Sequence, residues 1–148
     1  MKSFRLFCAA LCFLFALAAA AQAAAQPPDY IVVYGDARTQ HDIHRKIVGH
    51  ILSFSPQAVF STGDQVNDGR VQDEWVIFNE IILPIRKTSE FYPLLGNHER
   101  NADLYFRNFQ LPGNERWYSV RKGPVFFLML DSNWLIGPGS KQHAWLEN

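Results

Sequence analysis

Hydrophobic positions in this chain alternate between short apolar runs and stretches with helical spacing. Three apolar runs predict buried strands, over residues 30–34, 58–60 and 91–95. Residues 42–53 and 72–83 carry apolar side chains at helical spacing, which predicts a helix after each of the first two strands, the second ending at Pro84. Strands and helices that alternate with short connections are typical of an α/β fold with a parallel sheet.

The pattern changes in the last third of the chain. After a short predicted helix over residues 102–109, two adjacent runs, 117–120 and 125–130, predict strands that pair antiparallel across Gly123 and Pro124. A loop from 131 to 139 follows, and Ser140 is predicted to cap a final short helix. At 148 residues the chain has the length of one domain.

The first 25 residues have the features of a secretory signal peptide. Lys2 and Arg5 precede an apolar run over residues 6–21, and small residues at 21–23 or 23–25 offer cleavage sites. The alternative is a transmembrane anchor, which the short, alanine-rich run disfavours. We therefore expect residues 1–25 to be a signal peptide, residues 26–148 to form the mature domain without a stable membrane anchor, and the protein to be exported to the periplasm or secreted.

Composition narrows the possible chemistry of the mature chain. Both cysteines, Cys8 and Cys12, lie in the predicted signal peptide, so the mature chain has no disulfide and no thiol nucleophile. The formal net charge is zero, which gives no electrostatic indication of a nucleic-acid or acidic-membrane partner. Packing or a bound metal must then stabilise the fold.

Polar loops follow each of the first three predicted strands. The first loop (residues 35–38) contains Asp36, the second loop (63–69) contains Asp64, and the third loop (96–99) contains Asn97 and His98. Because the carboxyl ends of parallel strands lie at one edge of a sheet, we expect the three loops to converge. Carboxylate, amide and imidazole ligands suit Mn, Fe or Zn, and a bridging carboxylate between two such ions can activate water.

These loops resemble the calcineurin-like metallophosphoesterases, a family that includes purple acid phosphatases. The ordered motifs Gly35-Asp36, Gly63-Asp64 and Gly96-Asn97-His98-Glu99 carry the resemblance, and residues 117–132 are similar to the purple acid phosphatase side of the family. The resemblance implies the N-terminal portion of a four-layer α/β/β/α sandwich, with most of the second sheet missing. It also implies a phosphate-ester substrate and two divalent or trivalent metal ions.

Site residues follow from the same resemblance. Asp36 would bind the first metal, Asp64 would bridge both metals, and Asn97 would bind the second. His98 would act as the catalytic residue near the substrate phosphate, stabilising the transition state or protonating the leaving group. Glu99 is expected to have a structural role rather than to bind metal.

Arg38 departs from the family pattern, in which many members have a metal-binding histidine two residues after the first aspartate. An arginine cannot ligate a metal because its guanidinium stays protonated and offers only donors. One hypothesis is that Arg38 binds the substrate phosphate as a bidentate donor. The alternative is an ion pair at the edge of the loop.

The resemblance also implies ligands that this sequence does not contain. The family has a further strand with a metal-binding histidine after a helix similar to residues 142–147, and then a Gly-His-x-His motif. Two interpretations therefore stay open. The chain belongs to a metal-dependent phosphoric ester hydrolase, or it is a truncated, catalytically inactive fragment that lacks the C-terminal histidine ligands.

Overall fold

The computed structural model describes residues 30–148 and shows a mixed α/β fold. The predicted signal peptide, its cleavage sites and both cysteines lie outside these residues. No helix within 30–148 is both long and apolar enough to cross a membrane. The elements, in chain order, are β1 (Ile31–Tyr34), α1 (His41–Ser53), β2 (Ala58–Ser61), α2 (Gln72–Thr88), β3 (Glu90–Pro93), α3 (Asp103–Asn108), β4 (Tyr118–Lys122), β5 (Val125–Met129) and α4 (Lys141–Leu146).

The first three strands form a parallel sheet in the order β1-β2-β3, as predicted. In its register Val33 pairs with Phe60, and Phe60 pairs with Tyr92. All four residues of β2 are buried, because neighbouring strands and packed layers cover this central strand on every side. The carboxyl ends of the three strands therefore lie along the same edge.

Helix α2 continues past Pro84 to Thr88, so the prediction that this helix ends at the proline was wrong. Ile81, Ile82 and Ile85 are buried on the face of α2 that packs against the sheet. Pro84 and Glu80 are both exposed, so the carbonyl that loses its helical partner at the proline can accept a hydrogen bond from water. Burial of the isoleucines outweighs the loss of one hydrogen bond on the solvent side.

Strands β4 and β5 form an antiparallel pair, which confirms the predicted hairpin. The pair covers the opposite face of the parallel sheet, where the rings of Phe60 and Phe127 stack with centroids 4.4 Å apart. Tyr118 donates a 2.6 Å hydrogen bond to the carbonyl of Pro93. This hairpin is the part of a second sheet present within residues 30–148, and its far side leaves Phe126 and Leu128 about half exposed.

His44 lies in the interface between α1 and the sheet, with 2% of its surface exposed. Its Nε2 is 3.3 Å from the Tyr34 hydroxyl, and its ring stacks on Phe78 with centroids 5.7 Å apart. Burial lowers the pKa of His44 from 6.5 to about 4, and the nearby charges of His41 and Arg45 act in the same direction. The folded protein therefore holds this imidazole neutral.

The His44→Gln substitution should reduce the loss of stability in mild acid. Because the pKa of His44 is lower in the folded than in the unfolded chain, neutral His44 contributes stability above the unfolded pKa of 6.5. That contribution is lost as the pH falls towards about 4. We expect the free energy of unfolding of the wild type to fall in this window by about 1.4 kcal/mol per pH unit more than that of the variant. Urea titrations at several pH values measure the free energy of unfolding of both proteins. If it depended on pH in the same way in both, His44 would not be the group that loses stability in acid.

Candidate active site

The loops that follow β1, β2 and β3 are in direct contact with one another. The backbone N–H of Asp36 in the first loop donates a 3.1 Å hydrogen bond to the carbonyl of Gly63 in the second loop. The backbone N–H of His98 in the third loop donates a 3.1 Å hydrogen bond to Asp64 Oδ1. A side chain at Gly63 would place its Cβ 2.6 Å from Gly96 Cα, so the second and third loops approach as closely as glycine permits. The structure thus brings the three predicted loops together.

Both candidate metal-binding aspartates have a left-handed backbone conformation. The φ angle is 56° at Asp36 and 54° at Asp64. Residues other than glycine adopt this region at a cost, and such positions cluster at functional sites. Gly35 and Gly63 directly precede these residues, and the sharp turns redirect the chain at the end of each strand. Two such positions lie at this sheet edge, which supports it as the candidate site.

Asp64 lies at the centre of the contacts between the three loops. Its Oδ1 accepts the hydrogen bond from the N–H of His98, and its Oδ2 accepts one from Arg38 Nη1. Only 9% of its side chain is exposed, so both contacts are shielded from solvent. The same Arg38 Nη1 lies 3.3 Å from Asp36 Oδ1. The carboxylates of Asp36 and Asp64 therefore share one cationic nitrogen.

The buried side chain of Glu99 holds the second and third loops together. Its fully buried carboxylate accepts hydrogen bonds from the backbone N–H groups of Asp64 at 2.9 Å, Gln65 at 2.8 Å and Gly96 at 2.6 Å, and a longer one from Val66 at 3.3 Å. Burial raises the pKa of Glu99, while the four backbone donors act in the opposite direction. These contacts agree with the structural role that the sequence predicts for Glu99.

His98 is fixed in orientation by the second loop. Its Nδ1 lies 2.6 Å from the carbonyl oxygen of Asn67, and because a carbonyl only accepts, Nδ1 carries the hydrogen. The Nε2 atom of the ring is then the one available to exchange a proton with another group. The carbonyl of His98 also accepts a 2.9 Å hydrogen bond from the N–H of Gly69.

Asn97 is exposed and lines a cavity of about 280 Å³ beside the third loop. The cavity wall also contains Arg100, Asp131 and Trp134. Asn133 Nδ2 donates a 3.2 Å hydrogen bond to the carbonyl of Leu95 and so ties this wall to the end of β3. The amide of Asn97 is thus accessible to a ligand from the open side of the site.

Two contacts of the second loop were not predicted from the sequence. Glu74, in the first turn of α2, accepts hydrogen bonds from the backbone N–H groups of Asn67 at 2.6 Å and Asp68 at 2.9 Å. Arg70 pairs with Asp68 and holds the pKa of that carboxyl well below its usual range. An acidic residue in the first turn of a helix is a known cap for N–H groups at that end, which is the signal that could have identified Glu74.

The donor set at this sheet edge fits a metal centre only in part. Asp36, Asp64 and Asn97 offer three oxygen donors of the kind that Mn, Fe and Zn accept. Within residues 30–148, no three histidine, cysteine, aspartate or glutamate side chains form a group able to hold a metal ion. A positively charged nitrogen of Arg38 already contacts both Asp36 and Asp64. With Arg38 in contact with both carboxylates, these residues do not suit a metal ion between the two aspartates.

Comparisons with known proteins agree with the fold. Residues 14–140 match the family model "Calcineurin-like phosphoesterase". The structure is similar to that of a purple acid phosphatase isolated from yellow lupin (Lupinus luteus) seeds, with a TM-score of 0.69 and 20% sequence identity. The similarity covers 79% of this chain and 26% of the lupin chain, so this chain spans about a quarter of the length of that structure. No curated protein sequence matches the chain.

Proposed function

The chain belongs to the calcineurin-like phosphoesterase family, and on that premise we propose that it carries a centre for the metal-dependent hydrolysis of phosphoric esters. The observation that supports this most is the position of Asp64, which contacts Arg38 of the first loop and the N–H of His98 of the third. One carboxylate within reach of two loops can bridge two cationic positions. Asp36 and Asp64 would define the first position, and Asp64 and Asn97 the second.

The family resemblance implies divalent or trivalent ions of Mn, Fe or Zn at both positions, whereas in this chain Arg38 contacts both aspartates of the first position. Bound metal supplies Lewis acidity, which lowers the pKa of water and neutralises charge on a phosphoryl oxygen. Asp36, Asp64 and Asn97 would serve as oxygen ligands. Glu99 would keep the second and third loops in place through its four backbone contacts.

His98 would exchange a proton with the substrate through its Nε2. The hydrogen bond from Nδ1 to the Asn67 carbonyl fixes the ring and the tautomer. In its protonated form the imidazole would donate to a phosphoryl oxygen or to the departing alkoxide, so that the leaving group departs as a neutral alcohol. Arg38 would bind the phosphate with the guanidinium nitrogens that do not contact Asp36 or Asp64.

We also propose that the protein is exported. Residues 1–25 would act as a signal peptide, and residues 26–148 would form the phosphoesterase domain, in the periplasm or outside the cell. Comparison of the N-terminal residue of the purified protein with that of the encoded chain tests the proposal. An N-terminus near residue 26 supports it, and a mature protein that still begins at Met1 contradicts it.

The Asp64→Asn substitution should strongly reduce the rate of phosphoester hydrolysis. Asparagine tolerates the left-handed backbone at this position but removes the bridging charge. We expect the rate of hydrolysis of 4-nitrophenyl phosphate or bis(4-nitrophenyl) phosphate with added Mn²⁺ to fall on the order of 100-fold or more. Arg70→Ala, which removes an exposed ion pair of the second loop, is the matched control and should keep most of the activity. Equal rates for wild type and Asp64→Asn would contradict the proposed centre.

A catalytically inactive fragment is the second candidate. It is favoured by the three oxygen donors that the described residues offer, since four or more ligands are usual even for one metal ion. The same hydrolysis assay separates the two candidates. A folded, metal-loaded chain without measurable turnover of either ester would support the inactive fragment.

A further inference from the structure

We propose that the guanidinium of Arg38 takes the place of one of the two metal ions of this centre, so that the chain binds one metal ion rather than two. The inference rests on the proposed function, because it assigns the nature of the cation at one of the two positions that share Asp64. It concerns the position between Asp36 and Asp64.

The contacts of Arg38 have the arrangement of a shared cation. One nitrogen, Nη1, lies 3.3 Å from Asp36 Oδ1 and hydrogen-bonds to Asp64 Oδ2. About a third of the arginine side chain is exposed, and the Asp64 side chain is nearly buried. A metal ion bound to these same two oxygens would need the space that Nη1 fills. The guanidinium is therefore in the ligand pocket of the first position and not at its rim.

Charge makes the two occupants mutually exclusive. A guanidinium carries a positive charge and has no lone pair to offer a metal. A divalent ion beside it would be repelled across a few ångströms in a partly buried site. Two carboxylates and one guanidinium sum to a single negative charge, so one divalent ion on the Asn97 side of Asp64 leaves a net charge of +1, and a second would raise it to +3.

A guanidinium in place of a metal ion gives the two cation positions different chemical roles. A guanidinium donates hydrogen bonds and stabilises negative charge on a phosphoryl oxygen through its planar fork. Within residues 30–148 the Nε and Nη2 atoms of Arg38 have no hydrogen-bond partner, so they are available for that contact. Arginine is not a Lewis acid and cannot coordinate water as a metal ion does. Arg38 would thus stabilise charge on the phosphoryl group without contributing to water activation.

The other arginines of the loop cluster provide a matched control. Arg70 and Arg100 both pair with Asp68, at 2.5 Å and 3.6 Å, and neither contacts Asp36 or Asp64. Arg70, which directly follows the second loop, is thus an ion-paired arginine outside the proposed cation position. Replacing Arg38 and Arg70 by the same residue shows whether a change in metal binding comes from the loss of any arginine or from the loss of the cation between Asp36 and Asp64.

The test is the number of Mn²⁺ ions retained per chain by the wild type, Arg38→His, Arg38→Lys and Arg70→His. The proteins are loaded at about pH 8, where imidazole is neutral, desalted and analysed for metal, and circular dichroism checks the fold. We expect Arg38→His to hold about one ion more than the wild type, because it removes the guanidinium and adds a ligand nitrogen. Arg38→Lys keeps the charge and Arg70→His leaves the position intact, so both should match the wild type.

Two results would overturn the inference: a wild type that holds two ions, or an Arg38→His count equal to that of the wild type. Arg38→Gln is the second variant if the histidine protein does not fold, since its shorter, neutral side chain removes the guanidinium and offers an amide oxygen. The difference in Mn²⁺ count between Arg38→His and the wild type tests the role of Arg38. The number of Mn²⁺ ions that the wild type retains tests the proposed metal centre, and a count of zero in every protein would reject that centre as a whole.

Discussion

Replacing Glu99 with alanine should destabilise the protein more than any other substitution of a charged residue in the site. The change leaves four backbone N–H groups of the second and third loops without their shared acceptor. Each buried donor left without a partner costs about 1–3 kcal/mol, so we expect the free energy of unfolding to fall by at least about 3 kcal/mol. Urea unfolding measures this loss.

Two further variants show whether the effect comes from those hydrogen bonds. Glu99→Gln keeps the shape of the side chain but turns an NH₂ group towards backbone donors, so it should also destabilise the protein. Glu80→Ala removes an exposed carboxylate of α2 and should change the free energy of unfolding by less than about 0.5 kcal/mol. Wild-type stability in Glu99→Ala would mean that the loops are held by other contacts.

The Gly96→Ala substitution should disrupt the site even though it adds only one methyl group. A Cβ at this position would lie 2.1 Å from Asp64 Oδ1 and 2.3 Å from the backbone nitrogen of Asp64. Asp64 must then move, together with the hydrogen bonds that hold it. We expect a loss of about 1–3 kcal/mol of stability and a loss of metal binding in the protein that still folds. Thermal unfolding and metal analysis of the same sample measure both.

Gly49→Ala is the matched control for this prediction. Gly49 is an exposed residue of α1, and an added Cβ there meets nothing within 4 Å. Alanine is the better helix former, so this variant should be more stable than the wild type by about 0.5–1 kcal/mol. If Gly96→Ala behaved like Gly49→Ala, the close packing of the second and third loops would be refuted.

Much of the fold follows from local patterns in the sequence. The three strands of the parallel sheet, the β4-β5 hairpin and the Ser140 cap appear where the apolar spacing and the turn residues predict them. The end of α2 was predicted wrongly because a proline signals a stop only when no buried face continues beyond it. Ile85 continues that face, and the burial of its side chain depends on the sheet rather than on the local sequence.

The convergence of the three loops was easier to predict than the contacts within them. The convergence of the three loops follows from parallel topology, since the carboxyl ends of such strands meet at one edge. The partners of Arg38 and Glu99 depend on how loops distant in sequence approach one another, which periodicity does not encode. For the same reason the metal-binding role of Asp36, Asp64 and Asn97 stays a prediction that metal analysis must test.

The most direct test of the metal centre is the metal content of the purified chain beside that of Asp64→Asn. Both proteins would be incubated with manganese and iron and desalted before analysis. Metal retained by the wild type and lost in Asp64→Asn is the result we predict, with about one ion per chain if Arg38 fills the other position. A folded wild type that retains no metal, or as little as Asp64→Asn, would contradict the proposal that these three loops form a metal centre.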